Sequence, residues 1–257
     1  MKKKTKAKIL FQKEIAPAVF DLWLEADLAE QARPGQFLCL YPKEKDTLLP
    51  RPISVCEAAP DGRTLRLVYR VAGQGTREFS GYGKGGELAV LGPLGNGFPL
   101  PEAAGKKALL IGGGIGIPPL LQLARELRGE KQTVLGYRDG NLFLEEAFRR
   151  EGRCEIATED GSVGTKGNVM DAVRKNCLEG DVIFACGPLP LLRAVKRYGA
   201  ERGSRTFLSL EEHMACGIGA CLGCVVRTRE TEPRSRVKNA RICTEGPVFE
   251  AGEVEIG

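Results

Sequence analysis

The sequence predicts three units in one chain: an antiparallel six-stranded β-barrel, a parallel-sheet α/β domain, and a small cysteine-rich C-terminal domain. Three observations carry this. Through residue 98 apolar and polar side chains alternate with period two. From Lys107 short apolar runs alternate with stretches of helical period. Beyond residue 215, four of the nine cysteines crowd together. The borders are set at 1–98, 99–206 and 207–257.

In the first unit Phe20, Leu22, Leu24 and Ala26 alternate with Asp21, Trp23, Glu25 and Asp27, and Leu65, Leu67 and Tyr69 with Arg66, Val68 and Arg70. Such alternation marks half-buried antiparallel strands. Turn signals at Arg33-Pro34-Gly35 and Ala59-Pro60-Asp61-Gly62 separate them. Strands are expected near 4–12, 19–27, 36–42, 51–57, 63–71 and 86–91. A closed barrel removes the exposed edges of such a set. Gly92-Pro93-Leu94-Gly95-Asn96-Gly97 reads as a turn-rich hinge.

In the second unit strands are expected at Ala108–Ile111, Thr133–Gly136, Cys154–Ala157, Val182–Cys186 and Phe207–Leu210. Helices are expected at Pro119–Leu127, Leu142–Arg149, Val169–Asn176 and Leu189–Tyr198. This alternation implies a parallel sheet covered on both faces. The tail from Glu211 shows no clear period.

Composition bounds the function. With 257 residues, 42% hydrophobic and 28% charged, the chain is globular. Its most apolar stretch, Ala108 to Leu121, is broken by four glycines and two prolines, far from the roughly 18 apolar residues of a spanning helix. The basic start returns to charge too soon for a secretory signal, so a cytoplasmic protein is expected. The net charge of +5 equals the contribution of Lys2, Lys3, Lys4, Lys6 and Lys8. No basic stripe or row of stacking aromatics follows, which disfavours a nucleic-acid arm. A single His rules against a His-rich metal site.

Cys39, Cys56, Cys154, Cys177 and Cys186 are scattered, mostly in apolar segments where a free thiol acts as a small hydrophobe. Cys216, Cys221, Cys224 and Cys243 instead have the spacing C-x4-C-x2-C-x18-C, the plant-type ferredoxin arrangement for a 2Fe–2S cluster. Gly217, Gly219, Ala220 and Gly223 let the backbone come close enough to hydrogen-bond to sulfur. Four thiolates also suit zinc, and Cys221/Cys224 has zinc spacing, but Cys216 and Cys243 make no second short pair. A disulfide is the remaining alternative.

Leu109-Leu110-Ile111 leads into Gly112-Gly113-Gly114-Ile115-Gly116-Ile117-Pro118-Pro119. The dinucleotide fingerprint G-x-G-x-x-G fails in both registers. What stands there is G-G-x-G-x-x-P, directly after a strand and opening a helix. Gly113, Gly114 and Gly116 would let a pyrophosphate reach the backbone at a helix N-terminus, and proline suits the first turn. A tight turn without a ligand is the alternative. Thr158-Glu159-Asp160-Gly161 and Cys186-Gly187-Pro188 follow later strands, at the carboxyl ends where open parallel sheets bind ligands. Asp139 suits an adenosine ribose and Arg138 a 2′-phosphate, leaving NAD against NADP open.

Arg51-Pro52-Ile53-Ser54, Val68-Tyr69-Arg70 and Gly73-Gln74-Gly75-Thr76, taken with the glycine turn and Cys186-Gly187-Pro188, resemble the ferredoxin–NADP reductase superfamily. There, R-x-x-S contributes to flavin binding and a glycine/threonine turn holds the pyrophosphate. The run Ser209 to Cys224, then Cys243 and Gly246-Pro247-Val248-Phe249, is similar to the electron-transfer subunits of class 1B dihydroorotate dehydrogenases. The resemblance runs from about residue 5 to the C-terminus.

It implies FAD on the barrel, contacted by Arg51, Pro52, Ile53, Ser54, Val68, Tyr69, Arg70, Gly75 and Thr76. It implies NAD at the second domain and a 2Fe–2S cluster on the four late cysteines. Its partner would be an FMN-containing catalytic subunit, in a heterotetramer serving pyrimidine biosynthesis. Electrons from dihydroorotate would pass through cluster and FAD to NAD+, a flavin being the centre that exchanges both single electrons and hydrides. No catalytic acid, base or nucleophile is implied in this chain. His213 stands where the family leads one to expect arginine, and is not a ligand. The aromatic that caps the flavin in plant-type reductases is missing, which leaves Cys186 or a mobile segment to cover that face. Similar chains serve NADH-dependent ferredoxin:NADP oxidoreductases, sulfide dehydrogenases and hydrogenases. A non-enzymatic scaffold is a third reading.

Overall fold

The computed structural model describes residues 3–44, 46–231 and 236–256. Lys2, at the basic start, lies outside them. The strands β1 (Lys3–Ala16), β2 (Val19–Glu25), β3 (Phe37–Tyr41), β4 (Arg51–Ala58) and β5 (Thr64–Arg70), the helix α1 (Gln74–Ser80) and the strand β6 (Glu87–Leu94) form the first unit. The strands close in the order β1-β2-β5-β4-β3-β6. Alternation drives the closure: Leu22, Leu24, Leu65, Leu67, Leu38 and Val90 point inward and are fully buried or nearly so.

The outer face is not uniformly solvated. Asp21 is buried there, accepting two 2.8 Å hydrogen bonds from the Arg66 guanidinium. Arg66 also lies 3.6 Å from Glu57, and Glu57 pairs with Arg125 of the second unit. A buried acidic residue is thus paired with a neighbour that couples the barrel to the next domain.

The second unit consists of β7 (Ala108–Gly113), α2 (Pro119–Glu126), β8 (Lys131–Tyr137), α3 (Glu145–Arg149), β9 (Arg153–Thr158), β10 (Thr165–Lys166), α4 (Val169–Lys175), β11 (Val182–Cys186), α5 (Leu189–Arg202) and β12 (Arg205–Ser209). Two expected helices differ in extent. The one expected from Leu142 begins at Glu145, because Leu144 adopts a left-handed backbone, φ 66°. The last helix runs on to Arg202.

The tail that lacked periodicity carries β13 (Val225–Thr228), β14 (Asn239–Arg241), β15 (Val248–Glu250) and β16 (Val254–Glu255). β14-β13-β16 form a small sheet, while β15 joins the large one, whose order is β10-β9-β8-β7-β11-β12-β15. β15 runs antiparallel to β12, with Leu208 opposite Phe249. The sheet is therefore mixed at one edge. The 206/207 border cuts through β12, and the tail returns a strand across it.

The segment read as a hinge is tied down. Asn96 donates through Nδ2 to the Glu245 and Val248 carbonyls, both at 2.8 Å, and accepts the Val248 N–H at 3.0 Å. Its own N–H reaches the Gly246 carbonyl at 2.6 Å. Phe98, Phe184 and Phe207 pack in series beside it, each ring 5.7 Å from the next. Barrel, sheet and tail meet there. Among the described residues no helix is long and apolar enough to cross a membrane.

Candidate functional site

The strand order fixes where a nucleotide can bind. From β7 the chain steps outward through β8, β9 and β10, then returns to add β11 and β12 on the other side. The loops after β7 and β11 therefore diverge, which is the switch point where open sheets bind ligands. Both loops are held in backbone contact. A Cβ on Gly116 would stand 2.5 Å from the Cys186 carbonyl carbon and from Gly187 Cα and N. Gly116 thus closes the floor. Gly113 packs on Leu191. Gly114 instead faces open space, with a left-handed φ of 54° and Arg70 Nη2 as its nearest neighbour at 3.8 Å.

A cleft of about 840 Å³ opens above this floor, lined by Gly113, Gly114, Arg138, Asp139, Asn168 and Arg174 among others. Arg70 reaches into it from the barrel, and Arg197 from α5. Four arginines against Asp139 and Glu159 leave it positive, as a diphosphate requires. Asp139 accepts the Asn141 N–H and side-chain amide, at 2.9 and 2.7 Å, so it shapes its own turn as well. Asn168 caps α4 by accepting from Met170 and Asp171. Sequence reasoning missed Asn168, Arg174 and Arg197; the N-x-x-D capping pattern from Asn168 to Asp171 was the one signal for them.

The barrel residues fall on two faces. Ile53 packs toward the barrel core and Tyr69 is buried in it. The Tyr69 hydroxyl donates to Gln12 Oε1 at 3.0 Å, and its ring stacks on Phe20. Tyr69 therefore offers an outer ligand only its backbone. Pro52, Ser54, Val68 and Arg70 alternate to the outer face. Val68 packs there with residues of the second domain, among them Ile117 and Leu120. The Thr76 hydroxyl accepts from Ala72 and Gly73 N–H and donates to the Gly73 carbonyl, which shapes the turn opening α1. Arg51 lies across that turn: a Cβ on Gly75 would meet its Nε at 2.8 Å. A guanidinium laid against a glycine backbone fits a pyrophosphate cradle. Cys186, at the end of β11, is buried beside Ser209, and burial pushes its thiol up.

All four late cysteines are free thiols. Backbone hydrogen bonds draw them into two pairs: the Cys221 N–H donates to Cys216 Sγ at 3.4 Å, and the Ile242 N–H, donating to the Cys224 carbonyl at 2.8 Å, sets Cys243 beside Cys224. Among the described residues no three His, Cys, Asp or Glu side chains gather as a site for a single ion. Two pairs match a dinuclear cluster in which each iron takes two thiolates. The backbone is turned toward sulfur: Cys216 Sγ accepts from Ile218, Ala220 and Cys221 N–H at 3.5, 3.3 and 3.4 Å, and Cys221 Sγ from Gly223 at 3.4 Å. Burial pushes the Cys216 thiol up, and these N–H groups outweigh it and bring it down to about 6. Burial and the neighbouring Cys224 push Cys243 up to about 12.

Arg241 braces the loop, donating to Glu245 and, at 3.2 Å, to the Gly219 carbonyl. The Arg241 side-chain hydrogen bond to Glu245, joined by those from the Arg241 N–H and the Thr244 hydroxyl, holds the Glu245 carboxyl down at about 2. Cys221 and Leu222 lie exposed at the tip, whereas Cys224 and Cys243 are buried. His213 is exposed.

A closed barrel beside a switch-point cleft is the architecture of ferredoxin–NADP reductase-like proteins. The comparisons agree. Residues 211–255 match the iron–sulfur cluster binding domain of dihydroorotate dehydrogenase B. Over 257 residues the chain is 44% identical to the dihydroorotate dehydrogenase B (NAD+) electron transfer subunit of Listeria monocytogenes serotype 4a, covering 98% of this chain and 99% of that one. It is 43% identical to the subunit of the same name from Shouchella clausii, covering 98% of each. A solved structure of an NADH-dependent reduced ferredoxin-NADP oxidoreductase superposes with a TM-score of 0.85 at 29% identity, over 97% of this chain and 89% of that one. The chain belongs to the family of dihydroorotate dehydrogenase B (NAD+) electron transfer subunits.

Proposed function

We propose that this chain carries electrons from a dihydroorotate-oxidising partner to NAD+. When bound, the 2Fe–2S cluster supplies single-electron transfer, FAD the exchange between single electrons and hydride, and NAD+ the final hydride acceptor. Cys216, Cys221, Cys224 and Cys243 would hold the cluster. Arg51, Ser54, Gly75, Thr76 and the backbone from Val68 to Arg70 would hold FAD. Gly113, Gly114 and Gly116 would floor the NAD site. With its buried thiol at the β11 end, Cys186 would border both nucleotides.

One observation carries the reading. Arg70 on β5, Pro52 and Ser54 on β4, and Cys39 on β3 occupy three consecutive barrel strands. Arg70 lines the nucleotide cleft and Cys39 touches the cysteine loop through Gly217. Two strand spacings, about 10 Å, separate the outer strands. A flavin laid on the middle strand stands between the other two sites.

The relatives are named as the electron transfer subunit of a dehydrogenase, so an FMN-containing catalytic subunit that oxidises dihydroorotate is the proposed partner, in a heterotetramer. Its docking point is the exposed apolar rim of the cysteine loop, where Ile218, Leu222 and Val225 are 49, 62 and 41% exposed. Nine free thiols suit the reducing cytoplasm. Reconstitution tests the proposal. The catalytic subunit should reduce NAD+ with dihydroorotate only when this chain is added; equal NAD+ reduction without it would refute the role. The fit to an NADH-dependent ferredoxin-NADP oxidoreductase favours one other reading, the same relay on a different partner. Affinity capture of the native complex, with cofactor analysis of what accompanies it, separates the two.

A further inference from the structure

Cys39 is fully buried in the middle of β3. The cysteine loop comes down directly on it. A Cβ on Gly217 would meet Cys39 Sγ at 2.8 Å and Leu94 Cδ1 at 3.2 Å, and Gly217 takes a left-handed φ of 68° at that contact. Gly217 directly follows Cys216, so the loop that carries this thiol lies against the Cys39 sulfur. The thiol forms no disulfide and has no hydrogen-bond partner among the described residues. Toward the barrel, β3 pairs with β4 in the register Cys39 opposite Pro52 and Phe37 opposite Ser54. Residues directly opposite in an antiparallel pair share a face, about 4.5–5.5 Å apart. Cys39 therefore touches the cluster loop and sits beside the strand that carries the flavin motif.

We propose that Cys39 is a positioning residue that tunes the cluster by presenting its S–H to the cluster that Cys216, Cys221, Cys224 and Cys243 would hold. A free, buried thiol has one weak donor and no other partner for it. Hydrogen bonds to cluster sulfurs favour the more negative, reduced state and raise the reduction potential. The thiol is neither oxidised nor reduced; an electron entering the cluster leaves it again toward the flavin. The inference rests on the four-cysteine reading above.

The test compares the full-length, cofactor-loaded chain with Cys39→Ala, which removes the donor, and Cys39→Ser, which keeps one at nearly the same size. Iron and sulfide are counted first, and the cluster midpoint is then taken by electron paramagnetic resonance during a redox titration. The alanine variant should disfavour the reduced cluster about threefold, close to 30 mV on the 59 mV-per-decade scale of a one-electron couple. The serine variant should match the parent or exceed it. Should the alanine variant shed its cluster, Cys39→Val fills the space without a donor and carries the same expectation. Midpoints that do not move, or that fall equally in alanine and serine variants, overturn the role. A parent without stoichiometric iron and sulfide sinks the cluster reading itself; a loaded parent with unmoved variants sinks only Cys39.

Discussion

Adding one methyl group at Gly116 should weaken NADH binding without disturbing the other two centres. The new Cβ would stand 2.5 Å from three backbone atoms of Cys186 and Gly187, about 1 Å inside ordinary contact. Backbone cannot rotate away as a side chain can, so the loops after β7 and β11 must part. Overpacking of this kind costs about 1–3 kcal/mol. If the strain falls on the bound state, the Kd for NADH rises about fivefold to 150-fold. Gly83→Ala in the barrel is the control, because its added Cβ would meet nothing within 4 Å and its backbone is not left-handed. The assay is NADH titration of the loaded chain by flavin fluorescence or calorimetry, with FAD and iron content measured alongside. A Kd within twofold of the parent for Gly116→Ala would refute the crossing of the two loops as the floor of the site. So would equal loss of FAD and iron.

Three further outcomes follow from the same geometry. Asp21→Asn leaves the half-buried Arg66 guanidinium poorly paired, and should lower the unfolding temperature by about 5–10 °C, measured by calorimetry. Glu245→Gln removes a carboxylate held at about 2 instead of 4.5; that shift corresponds to at most about 3 kcal/mol, and solvent at a quarter-exposed pair reduces it to about 1–2 kcal/mol. Because its folded value is depressed, Glu245 stabilises fully above pH 4.5 and loses this as pH falls toward 2, so denaturation curves of parent and variant should differ at pH 7 and converge in acid. Leu222→Asp should weaken catalytic-subunit binding by about tenfold or more in a sedimentation or surface-binding assay, with NADH oxidation by an artificial dye unchanged.

Much of the architecture was legible because burial writes itself into period. The inward leucines of β2 and β5 gave the barrel, and the alternation of apolar runs with amphipathic helices gave the sheet. The cysteine spacing placed the thiol loop because ligand geometry constrains sequence distance directly. What escaped had no period to show. β15 is three residues long, and its pairing with β12 depends on Asn96 far away in the chain. The start of α3 depended on a left-handed Leu144. Tyr69 looked like a ligand contact by its place in a motif, while strand alternation turned it inward to Gln12. Cys39 read as a small hydrophobe, which it is by burial; only the descent of Gly217 onto its sulfur sets it apart. Asp21 showed that an outward polar position can be buried when a neighbouring domain covers it.

The central claim is that nucleotide, flavin and cluster sites communicate within one polypeptide. Its most direct test starts with the isolated, loaded chain, reduced anaerobically with excess reductant removed, so that the cluster signal is present. NAD+ is then added and the mixture frozen at successive times. The account predicts that the reduced flavin gives up its electron pair as the hydride of one NADH and is then refilled from the cluster, so that the cluster signal falls after NADH first appears and the three electrons of the reduced chain are accounted for between NADH and the flavin. A cluster signal that persists undiminished after the flavin has been reoxidised would show that the thiol loop lies outside the electron path, and would contradict it.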